Sequence, residues 1–131
     1  MDIQLDPRNA RVHPDANKAL IRKSLEEVGA FRSIAVDGDG IIRAGNGVFE
    51  QAQELGLKVR VVEASANELI AVMRPDLTGE LAERAAILDN RSSETSEWDC
   101  DVLALLKQNT PGVVEGIFDA KEWRSILSQI A

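Results

Sequence analysis

Ile41-Ile42-Arg43-Ala44-Gly45-Asn46-Gly47-Val48-Phe49-Glu50-Gln51-Ala52 is the stretch on which the reading of the fold turns. A short apolar run stops at Gly45-Asn46-Gly47, and a helical pattern begins at once. Glycines at such a junction let the backbone approach a neighbour or a ligand closely. The first amides of the helix lack intrahelical acceptors and sit at the positive end of its dipole. That is the local architecture of an anion site, above all a phosphate site. The same residues also suit a plain tight connection, with Asn46 as a helix N-cap.

Upstream of this junction, Ser33–Val36 and Ile41–Ala44 flank Asp37-Gly38-Asp39-Gly40. Two short apolar runs around such turn chemistry predict a hairpin. Before it, Leu20, Ile21, Leu25 and Val28 share one helical face, and Gly29 supplies a stop, so a helix is expected over Ala16–Val28. Pro7 and Pro14 make Asp6–Pro14 extended or turning chain.

Downstream, Val48, Ala52 and Leu55 predict a helix over Gly47–Leu55. Leu57–Glu63 alternates like a half-buried strand, and Glu68–Met73 reads as its partner across Ala64–Asn67. From Thr78 the pattern turns helical through Leu81, Ala85 and Leu88, ending between Asn90 and Glu94. Shorter helices are expected over Cys100–Gln108 and Glu122–Ile130, divided by Thr110-Pro111-Gly112. Asp119 with Glu122 is a capping-box signature for the last of them. The order predicts a single α+β domain over 1–131, mixed over 1–75 and helical over 76–131. A small mixed sheet with flanking helices is its expected architecture.

Composition narrows the class. A hydrophobic content of 44% with 28% charged residues suits an ordinary globular chain large enough for a core. No apolar run approaches the roughly 18 residues of a membrane span, and no membrane partner is expected. Met1–Pro7 lacks a basic stretch followed by an apolar one, so no signal peptide is expected and the chain is read as cytoplasmic. A single cysteine, Cys100, and a single histidine, His13, argue against a disulfide framework or a multi-cysteine zinc site. The net charge of −7 argues against general nucleic-acid binding. The charge is uneven: residues 76–131 carry five Lys/Arg against eleven Asp/Glu. The basic cluster Arg8, Arg11, Lys18, Arg22, Lys23 and Arg32 lies in the first half. It reads either as a face for phosphates or as a solvated helix face with pairs such as Arg22–Glu26.

Four stretches, taken in order, resemble the ParB/sulfiredoxin superfamily, in the ParB N-terminal-like form found on phages and mobile elements. They are Asn9–Pro14 leading into Ser24–Gly29, Ile34–Ile42, Ala44–Gly47 with Glu50, Ala52, Leu55 and Gly56, and Asp89-Asn90-Arg91 with Glu97-Trp98-Asp99. The resemblance covers roughly residues 6 to 107. It implies a nucleotide pocket, with the phosphates of CTP or ATP held at the glycine turn. Gly45, Asn46, Gly47, Val48, Asn90 and Arg91 then stand as phosphate-site positions. Asp89 and Asn90 stand where the superfamily faces a phosphate-bound Mg²⁺, an ion that takes oxygen ligands. Arg91 could grip a phosphate through its fork.

Two positions depart from the superfamily pattern. Val48 occupies a place where nucleotide-active members usually carry arginine. Asn46 occupies the place of the sulfiredoxin catalytic cysteine, and Cys100 lies in another segment, so sulfinate reduction is not expected. Three readings follow. One is a ParB-like accessory domain serving DNA transactions such as partition, with DNA met through a partner or oligomer, a homodimer included. A second is a small enzyme on the same fold: a nucleotide hydrolase, nuclease or phosphotransferase. The third is an interaction module without a ligand. No catalytic residue is singled out. Trp98 and Trp123 read as packing anchors.

Overall fold

The computed structural model describes residues 2–131. It is a mixed α+β arrangement of five α-helices and two small antiparallel sheets. The elements in chain order are β1 (Arg11–Val12), α1 (Asp15–Glu27), β2 (Ala35–Val36), β3 (Ile42–Ala44), α2 (Asn46–Glu54), α3 (Gly79–Glu94), β4 (Glu97–Trp98), α4 (Cys100–Asn109) and α5 (Ala120–Ser128). A 3-10 turn, Pro111–Val113, separates the last two helices. None of the helices among the described residues is long and apolar enough to cross a membrane.

The expected hairpin forms as β2 and β3, with Ala35 opposite Ala44 and Val36 opposite Ile42. Asp37 builds its turn, because one carboxylate oxygen accepts from the amides of Asp39 (2.9 Å) and Ile41 (3.0 Å). Gln4 adds a single parallel bridge at Ile41. The expected small mixed sheet is otherwise two separate pairs. β1 pairs only with β4, which the helical part of the chain contributes.

The predicted pairing of Leu57–Glu63 with Glu68–Met73 does not occur. Its turn does, since the Ser65 amide donates to Glu68 Oε1 (3.0 Å) and the Glu68 amide to the Ser65 carbonyl (3.4 Å). The runs on either side form no strand between Leu57 and Met73, and residues 58–73 are exposed. An isolated two-stranded ribbon is marginal in water, and here no helix or third strand covers it. Strand-like alternation in sequence reports only a face that could be buried.

Two apolar clusters hold the helices. Val28, the C-cap of α1, packs with Ala85 and Leu88 of α3, joined by Leu20 and Leu77. Leu103 and Leu106 of α4 pack with Val114 and with Ile126 of α5, joined by Trp123 and Phe118. Phe118 meets Trp98 and Trp123 edge-on, at centroid separations of 5.5 and 5.3 Å. This geometry matches the ring quadrupoles; Trp123 joins the cluster as a packing anchor, whereas Trp98 stays 47% exposed. The capping box of α5 forms as expected: Asp119 accepts from the Glu122 amide (2.7 Å), and Glu122 from the Asp119 amide (3.1 Å).

A candidate anion-binding site

Gly45 ends β3 with φ +96° and turns the chain into α2. A side chain there would meet Ile34 Cγ2 at 2.5 Å, so both conformation and space demand glycine. Gly47, inside the first turn of α2, supports the ring of His13. A Cβ on Gly47 would lie 2.8 to 3.0 Å from three of the ring atoms. His13 is held in turn by Asn17, with its Nδ1 donating to Asn17 Oδ1 at 2.6 Å. Asn17 is fully buried, and its amide donates to the Ser92 carbonyl (2.6 Å) and to Thr95 Oγ1 (2.9 Å). A polar network thus ties the start of α1, the glycine turn and the end of α3 together.

Asn46 is also committed to the protein. Its Oδ1 accepts from the Asp6 amide (2.9 Å), and its Nδ2 donates to the Ile42 carbonyl (3.3 Å). The residue is buried. Its side chain fastens the N-terminal segment to the hairpin rather than capping α2 or facing a ligand. The backbone amides of Asn46, Gly47 and Val48 have no acceptor among the described residues.

Val48 lines a small pocket between α1, α2 and α3, together with Ile21, Leu25, Arg32, Asp89 and Ser92. The fold therefore brings Val48 and Asp89 to one pocket and adds Arg32. The Arg32 guanidinium grips Asp89 with two bonds, Nε to Oδ1 at 2.8 Å and Nη2 to Oδ2 at 2.6 Å. These bonds raise the Arg32 pKa above its ordinary value, against the smaller opposing effect of burial. The side chain of Arg32 is 54% exposed, against 22% for Asp89. The pocket holds about 30 Å³, room for a water or two.

The other two site positions do not join it. Asn90 and Arg91 follow Asp89 on α3, so each is turned about 100° further around the axis. Asn90 is exposed, and Arg91 is exposed and lies 3.4 Å from Glu94. Among the described residues no three His, Cys, Asp or Glu side chains cluster to hold a metal. Both Asp89 oxygens are taken by Arg32. One carboxylate suffices for Mg²⁺ when phosphate and water supply the remaining ligands. Asp89 alone therefore makes no site for a free Mg²⁺.

Sequence reasoning left out Arg32 and Asn17. Arg32 stood only as one of six basic residues. Asn17 carried a sharper signal, since it lies four and eight residues before Ile21 and Leu25 and so shares the buried stripe of α1. No family model, curated protein or solved structure matches the chain.

Proposed function

We propose that the chain is a ParB-like domain whose pocket between α1, α2 and α3 takes the phosphates of CTP or ATP with Mg²⁺, in the service of DNA transactions. One observation carries this reading. Arg32, Val48 and Asp89 line a single pocket, and Val48 belongs to the first turn of α2, whose amides are open. Arg32 supplies there the guanidinium that the chain lacks at position 48. Helix amides and a guanidinium suit phosphate, and a carboxylate suits the metal that accompanies it. Bound Mg²⁺ would neutralise phosphate charge, with Asp89 as its protein ligand. In the free protein Arg32 and Asp89 are paired at the pocket. Entry of a nucleotide requires that pair to part, which the exposure of Arg32 allows. With a net charge of −7, DNA is met through a partner or an oligomer.

Calorimetric titration with CTP, ATP, GTP and ADP, with and without Mg²⁺, tests this. Binding should require Arg32 and vanish in Arg32→Ala. In Asp89→Asn it should persist but lose its Mg²⁺ dependence. Absence of heat with every nucleotide at millimolar concentration refutes the reading. It would favour the interaction module instead, to which the small pocket and the internally bonded Asn46 already lend support.

A further inference from the structure

The segment from Lys58 to Met73 is the least covered part of the molecule. Val59, Val61, Val62, Leu69, Ile70, Val72 and Met73 are all exposed, Leu69 at 97% and Met73 at 84%. Among the described residues its backbone bonds are confined to the turn at Ser65–Glu68. Its base is nonetheless fixed. The Leu57 amide donates to the Ala52 carbonyl at 2.9 Å. At the other end Arg74 donates to the carbonyls of Val28 and Ala30, both at 2.8 Å. The result is an arm anchored at both ends, without regular structure, with exposed apolar side chains and open backbone groups available for strand addition.

A second uncovered feature lies on the other side of the chain's charge divide. A groove of about 360 Å³ opens between β4 and α5, lined by Glu97, Trp98, Cys100, Phe118, Glu122 and Ile126 among others. Its lining joins aromatic and apolar side chains with two carboxylates, Glu97 and Glu122. Among the described residues β4 pairs with β1 alone, so its second edge is unpaired there. The arm complements both properties. From Lys58 to Val62 it carries two cations, Lys58 and Arg60, and no acid. Val59 and Val61 alternate with them, one face for the apolar lining and long basic side chains for the carboxylates.

We propose that the arm of one chain docks in the β4–α5 groove of a second copy, residues Lys58–Val62 adding to the free edge of β4. Reciprocal exchange closes a two-fold dimer and leaves neither arm uncovered. Opposite charge supplies selectivity: Lys58 and Arg60 of one copy meet Glu97 and Glu122 of the other. This surface is separate from the α1–α2–α3 pocket, and it stands or falls independently of nucleotide binding.

The test uses the full chain and its native Cys100, which lines the groove. Light scattering after size exclusion should give twice the monomer mass. Val61→Cys under mild oxidation should form a link from residue 61 of one chain to residue 100 of another, identified by peptide mapping. Glu97→Lys should weaken the dimer at least tenfold, and Arg60→Glu in that background should restore it. Circular dichroism checks that each variant is folded. A monomer at the highest soluble concentration overturns the proposal. So does a 61–100 link within one chain, where the arm folds back on its own groove, or a link between two residues 61 alone.

Discussion

Replacing Gly45 by alanine should cost the protein a large share of its stability, for two separable reasons. The first is conformational. Gly45 sits at φ +96°, a region that costs an L-residue about 1–2 kcal/mol. The second is steric. The new Cβ would lie 2.5 Å from Ile34 Cγ2, 3.1 Å from Ile34 Cβ and 3.3 Å from its Cα. Rotating Ile34 about χ1 clears only the first of these, so the backbone at Ile34, just before β2, must shift as well. Overpacking of this kind costs about 1–3 kcal/mol. The sum, about 2–5 kcal/mol, compares with a total of about 5–15 kcal/mol for a typical domain. At a few degrees per kcal/mol for a chain of this size, Tm should fall by roughly 8–20 °C. Urea unfolding followed by circular dichroism gives the free energy directly. Asparagine tolerates the left-handed region better than alanine does, so Gly45→Asn should recover part of the first term and none of the second. A loss below about 1 kcal/mol in Gly45→Ala, or no advantage of asparagine, refutes the assignment of this glycine to backbone need.

Other substitutions probe the remaining links. Val48→Arg places a second guanidinium in the pocket with Asp89; calorimetry should show nucleotide affinity rising about tenfold, as for one added charge-assisted bond, and an unchanged affinity would remove phosphate from that place. Asn17→Ala cuts the bonds to His13, Ser92 and Thr95 at a fully buried site, so urea unfolding should register a loss of about 2–4 kcal/mol from lost bonds and an unfilled cavity. Asp37 has its pKa lowered, first by the Ile41 amide and then by Arg43. Its contribution is therefore complete above the ordinary aspartate pKa of about 3.9 and is lost as pH falls through the lower folded value. Asp37→Asn should flatten that acid limb of the stability–pH curve, and an unaltered limb would show that the hairpin turn is not its source.

The helices were legible in the sequence nearly residue by residue, because their signals are local. Gly29 and Gly56 mark the ends of α1 and α2 with positive φ. Asp119 and Glu122 cap α5 within a single turn. The hairpin at Asp37–Gly40 was legible for the same reason, since its turn is made by one carboxylate and nearby amides. The site was legible in part. Val48 and Asp89 line one pocket, but Gly45 and Gly47 do not line it, Asn46 bonds inward to Asp6, and Asn90 and Arg91 are exposed outside it.

By itself the sequence determined which residues turn, cap and present apolar faces, because those properties reside in a few adjacent side chains. Only the tertiary structure decided what each face meets. It put Arg32 on Asp89, His13 on Gly47 and β1 on β4, contacts between residues 34 to 87 positions apart. It also left Lys58–Met73, patterned as well as any strand, without a neighbour to cover it. Alternation makes a strand available for burial, but the free energy comes only when another surface takes it out of water.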